Sequence, residues 1–191
     1  MKITVYGGAS PKVDKAYILK GEEFGRKLVE RGHSVVYGGG ARGLMGAVAR
    51  GTKENNGYIL GIAPTFFQEV DGELYEHCDK FIFTENMRER KFLLEENGDA
   101  FVIMPGGAGT FEELFEAFTL KQLGQHDKPI VIYNINHYYD TMAKLLQECI
   151  DKGFIREANL DLYQVLTDAD DILDYFENYK SNPHPKNYRG L

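Results

Sequence analysis

Long apolar runs are missing from this 191-residue sequence. None approaches the roughly 18–20 residues of a membrane span, and the opening MKITVYGG carries no signal-peptide pattern. Cysteine is scarce. Cys78 and Cys149 stand far apart and outside any CxxC, which argues against a disulfide framework and suits reduced thiols in a cytoplasmic protein. Positive charge is in deficit, with 22 Lys and Arg against 29 Asp and Glu and a formal net charge of −7. That balance speaks against nucleic acid or an anionic membrane as the main partner, because both need clustered cations. The five histidines form no pair at i, i+3 or i+4, so no metal site is expected.

What is present is a regular alternation of short apolar runs with amphipathic stretches. ITVYG, SVVYGGG, YILGIAP, KFIFTE, DAFVIMP and KPIVIYN read as strands, and LYQVLTD as a shorter extended piece. Helices are predicted over 14–31, over GLMGAVARGTKENNG, and over 86–97, 111–124, 138–153 and 169–180. Residues 65–78 are the least regular part and read as a loop with a short helix. The strands are apolar without clear alternation, which suits a parallel sheet buried on both faces. The β-α order then implies right-handed crossovers and a doubly wound α/β fold with a mostly parallel sheet. One domain is expected over 1–180, with a polar tail at 181–191.

Three glycine clusters, at 6–10, 37–43 and 105–110, each follow a strand and precede a helix. In a doubly wound fold all three fall on the ligand-binding edge, outside the carboxyl ends of the strands. The cluster at 38–43 fits GxGxxG, yet the next strand ends in GIAPTFF with no acid to hold a ribose hydroxyl, against NAD or FAD. No loop ends in GK[ST], against nucleoside triphosphate hydrolysis. What remains is a cradle of backbone N–H groups at a helix start, sized for one phosphate, with Thr110 at the expected N-cap.

The glycines of MPGGAGTFEELFEAF are followed by Glu112, Glu113 and Glu116. Acids in a first helical turn offset the helix dipole, the plainest explanation for Glu112 and Glu113. Three carboxylates beside an anion cradle also suit a bipolar substrate, with phosphate at the loop and positive charge developing further out. Glycosidic bond cleavage through an oxocarbenium-like state has that character. ENMRERK places Arg88, Arg90 and Lys91 on the first turns of another helix at the same edge, where an anion or a glutamate would account for them.

Together these segments resemble the LONELY GUY family of cytokinin riboside 5′-monophosphate phosphoribohydrolases, formerly labelled lysine decarboxylases. The PGGxGTxxE motif is met by Pro105, Gly106, Gly107, Gly109, Thr110 and Glu113, and MxxRK by Met87, Arg90 and Lys91. GGGARGLMGAVA is similar to the family's other glycine loop, and the likeness runs from about Thr4 to Tyr179. The resemblance implies a Rossmann-like three-layer fold and a homodimer with its site near the interface. It also implies hydrolysis of a purine nucleoside 5′-monophosphate to free base and ribose 5-phosphate, with neither metal nor organic cofactor. On it, Glu113 and Arg90 are the catalytic pair, and Gly106, Gly107, Gly109 and Thr110 bind phosphate. Ser10, Gly39, Gly40, Met87, Arg88, Lys91 and Glu116 are further binding candidates.

Two positions depart from the pattern. Gly7-Gly8-Ala9-Ser10 stands where Cys-Gly-Ser-Ser is usual, and Arg88 stands where many members carry histidine. A helix N-terminus and a nearby Arg90 lead to the expectation of an ionised Glu113. A nucleotide-binding or sensing protein without turnover would use the same cradle, but gains little from a carboxylate there. A pyridoxal-phosphate enzyme needs a lysine that the glycine loops do not supply.

Overall fold

The structure, a computed structural model, describes residues 1–70 and 72–181; the tail expected at 181–191 lies outside them from residue 182 on. Among these residues seven strands form one all-parallel sheet: β1 (Lys2–Tyr6), β2 (Ser34–Tyr37), β3 (Ile59–Pro64), β4 (Lys80–Thr84), β5 (Ala100–Ile103), β6 (Ile130–Tyr133) and β7 (Gln164–Leu166). Their order is β4-β3-β2-β1-β5-β6-β7. The chain winds outward from β1 to β4, then returns to place β5 on the other side of β1, with Val5 beside Val102. That reversal is a topological switch point, where clefts open in such sheets.

Among the described residues six α-helices cover the sheet: α1 (Lys15–Glu30), α2 (Gly43–Glu54), α3 (Met87–Asn97), α4 (Ala108–Gln122), α5 (Asp140–Asp151) and α6 (Ala169–Asn178). Phe24, Leu28, Leu44, Val48, Ile172 and Phe176 bring α1, α2 and α6 onto one face. Leu94, Leu114, Phe118, Met142 and Leu146 bring α3, α4 and α5 onto the other. The result is the expected three-layer sandwich. Central strands β1, β2, β3, β5 and β6 are buried almost throughout, while edge strands β4 and β7 are partly exposed, because only one neighbour covers each.

Local chemistry sets the helix ends. Asp14 caps α1 by accepting from Ala16 N at 2.8 Å, and Gly32, at φ 73°, ends the turn that follows it. Asn86 caps α3 by accepting from Arg88 N and Glu89 N, each at 3.0 Å. The helix predicted over 111–124 starts earlier, at Ala108, because the glycine turn itself supplies the first helical residues. No helix among the described residues is long and apolar enough to cross a membrane.

Candidate active site

All three glycine loops meet at the carboxyl end of the sheet. Gly7, Gly8, Gly38, Gly40, Gly107 and Gly109 line one cavity of about 250 Å3 across the switch point. The loops are not equivalent. At α2, Leu44 N and Met45 N both donate to Gly8 O, at 2.8 and 3.3 Å, so that helix start is occupied by protein. At α4 the N-cap is Gly107, which has no side chain to accept from the first-turn N–H groups. Gly109 and Thr110, the second and third helical residues, line the cavity instead. The α4 start is therefore the better anion cradle.

This corrects two expectations. Thr110 is not the N-cap but sits inside the first turn, and that turn contains no acid. Glu112 and Glu113 come one turn later, so the dipole explanation does not apply to them.

The three glutamates divide. Glu112 and Glu116 both reach Lys91 Nζ, at 2.8 and 3.0 Å, and this pairing raises the lysine's pKa. Glu113 instead pairs with Arg90, and it lines the cavity, as Glu112 and Lys91 do. Its Oε1 stands 3.6 Å from Nη1 of Arg90, and the two side chains are only 10% and 8% exposed. Arg90 is held from behind: its Nε donates to Ile62 O at 3.2 Å. At that separation Arg90 and Glu113 form an ion pair without a direct hydrogen bond. Burial lifts the Glu113 carboxyl to about 7, against the lowering pull of Arg90. The expectation of a firmly ionised carboxylate is thus overturned: desolvation outweighs the neighbouring cation.

Of the other candidates, Met87 and Lys91 line the cavity with Gly40. Ser10 is exposed and its Oγ accepts from Lys12 N at 3.2 Å. Arg88 is exposed as well, and neither borders the cavity. Gly39 lies behind the lining: it has φ 77°, its carbonyl accepts from Tyr75 N, and a Cβ there would stand 2.6 Å from the Phe81 ring. Gly106 is tied through its carbonyl to Tyr138.

The motifs did not point to the roof. Phe67, Glu73 and Leu74 close the cavity from above, through an isolated bridge between Gly40 and Leu74 and a bond from Ala41 N to Glu73 O at 2.8 Å. They come from the irregular 65–78 segment, where no periodicity marks one side chain over another.

A doubly wound sheet with a buried carboxylate–guanidinium pair and three glycine loops at its switch point defines a Rossmann-like protein with a preformed cleft. A family model described as "Possible lysine decarboxylase" matches residues 45–176. Cytokinin riboside 5′-monophosphate phosphoribohydrolase LOG5 of Arabidopsis thaliana is 34% identical over 181 residues, 94% of this chain and 78% of that one. The cytokinin riboside 5′-monophosphate phosphoribohydrolase of Mycobacterium tuberculosis is 36% identical over 172 residues, 90% of each chain. The chain belongs to this phosphoribohydrolase family. The molybdenum cofactor binding protein of Rippkaea orientalis shares the fold, with a TM-score of 0.69 at 18% identity over 92% of this chain and 94% of that one.

The older decarboxylase description implies pyridoxal phosphate, and the residues do not fit it. Lys91 is the lysine that lines the cavity among the described residues, and its ammonium is held by two carboxylates that raise its pKa. An imine-forming lysine needs the opposite environment, one that favours the free amine.

Proposed function

We infer that this protein hydrolyses the N-glycosidic bond of a purine nucleoside 5′-monophosphate, giving free base and ribose 5-phosphate. One observation carries the reading: Glu113 and Arg90 face each other at 3.6 Å, nearly buried, beside a helix start without a side-chain cap. The phosphate docks on the first turn of α4, where Gly107, Gly109 and Thr110 offer backbone N–H groups. The sugar then lies toward Glu113, six residues along the same helix from Gly107.

Water adds to C1′ as the C1′–N bond breaks, and the bonding pair leaves with the base. Ionised Glu113 stabilises the positive charge on the sugar and takes a proton from the attacking water. A carboxyl with a pKa near 7 is also a competent acid at neutral pH, so the same group returns that proton to the departing base. A guanidinium is a poor acid, and Arg90 serves as a clamp that orients the carboxylate.

The base, adenine as in AMP or an N6-prenylated adenine, sits under the roof of Phe67 and Leu74. Exposed Phe83, Met87 and Phe92 on β4 and α3 support a homodimer that covers the site's flank. Two unpaired cysteines suit a cytoplasmic setting, and the acidic balance disfavours nucleic acid and membranes as partners.

A panel of nucleoside 5′-monophosphates, with the matching nucleosides as controls and free base followed by chromatography, tests the reading. Base is expected from monophosphates alone, and Glu113→Gln is expected to lose about 100-fold or more. Tight nucleotide binding with no base released on long incubation would instead identify a nucleotide-binding protein without turnover.

A further inference from the structure

Three consecutive carbonyls in the turn between β5 and α4 accept hydrogen bonds from outside it. Met104 O accepts from the Tyr139 hydroxyl at 2.7 Å, Pro105 O from Gly8 N at 2.9 Å, and Gly106 O from the Tyr138 hydroxyl at 2.6 Å. The described residues contain no cis peptide bond. In a planar trans peptide the C=O and the next N–H point to opposite sides. Drawing the Gly106 carbonyl toward Tyr138 therefore turns Gly107 N–H the other way. Gly107 lines the cavity, whereas Tyr138 stands behind the turn in a separate groove with Phe111 and Phe115.

That peptide joins two glycines. With no Cβ on either side, its own backbone barely restrains it, and rotation would aim the carbonyl at the cavity and the N–H away. The external hydrogen bond decides which face the cavity meets.

The loop carrying the tyrosines is itself fixed. Asn134 Oδ1 accepts from Tyr139 N at 2.7 Å, and its Nδ2 donates to Asp140 Oδ1 at 2.7 Å. Between these ties Asn136 and His137 hold φ of 51° and 61°, a conformation that side-chain-bearing residues adopt at a cost. Tyr139 is buried and contributes to the core, but Tyr138 is 41% exposed. Its ring meets Tyr17 and Tyr139 edge-on, and the held loop delivers its hydroxyl to Gly106 O.

We propose that Tyr138 is a positioning residue for the substrate's 5′-phosphate: its hydroxyl fixes the Gly106–Gly107 peptide so that Gly107 N–H faces the bound anion. The inference rests on the phosphate cradle proposed above and deepens it, placing one determinant of phosphate affinity on the loop between β6 and α5.

The test is Tyr138→Phe, which removes only the hydroxyl. Calorimetric titration with ribose 5-phosphate is expected to show affinity about 3–10-fold weaker than wild type, the range for loss of one hydrogen bond. Turnover of a nucleoside 5′-monophosphate should show KM raised by a similar factor with kcat within about twofold, and the melting temperature should stay put. Unchanged affinity for ribose 5-phosphate overturns the proposal. A joint fall in melting temperature, kcat and affinity also overturns it, because Tyr138 would then be a structural prop. If wild type binds ribose 5-phosphate but releases no base, the hydrolase reading fails alone and the titration still decides the role of Tyr138. If wild type does not bind ribose 5-phosphate, the cradle is wrong and this inference falls with it.

Discussion

A Cβ added at Gly38 would stand 1.8 Å from Nη2 of Arg90, so the glycine that follows β2 and the guanidinium of α3 share one space. The atoms met are the far end of a side chain, not backbone. Gly38→Ala should therefore fold and still push Arg90 off its place beside Glu113. Base release is expected to fall by about 100-fold, the scale of a roughly 1 Å misplacement at a reacting centre, with a much smaller change in melting temperature. Wild-type turnover in this variant would remove Arg90 from the mechanism.

Glu113 makes the site costly in a pH-dependent way. Burial raises its carboxyl from an ordinary 4.5 to about 7, so between those values the folded protein keeps a proton that the unfolded chain has released. Stability from this group is fully kept below about pH 4.5 and is lost as pH rises through about 7. The shift corresponds to roughly 3 kcal/mol once the carboxylate is ionised. Glu113→Gln should match wild type near pH 4.5 and exceed it by up to about that amount at pH 8.5. Urea unfolding at the two pH values measures this, and equal stability at both would mean that the carboxyl is well solvated.

The same group should shape the rate. If ionised Glu113 stabilises the developing cation, kcat/KM falls about tenfold per pH unit below about 7 and levels off above it. A control titration of the free substrate's phosphate, which titrates at about 6, separates its share of the profile. A kcat/KM that rises on acidification would make the protonated acid the working form.

The sequence displayed the architecture well because its signals were local. Apolar runs without alternation marked the central strands, Gly32 marked the end of the helix read over 14–31, and the order of runs implied a doubly wound sheet. The meeting of Glu113 with Arg90 was visible only through the family motifs, since 23 positions separate them and only the crossover through β5 brings them together. What was misread depended on quantities that spacing does not carry. Thr110 has the residue type of an N-cap, but the flexible glycines before it wind into the helix and move the cap to Gly107. The ionisation of Glu113 was judged from its neighbours, while the outcome was set by how thoroughly α4 and the sheet bury it. Tyr138 announced itself by nothing in its own segment, because its partner is a backbone carbonyl.

The switch point also separates two tasks along the chain. The turn proposed to hold phosphate follows β5, while Phe67, Glu73 and Leu74 belong to the β3–β4 connection on the other arm of the winding. Insertions or exchanges in that connection leave the register of β1 with β5 untouched. The roof proposed to cover the base is therefore free to vary through one surface segment while the turn after β5 keeps its place.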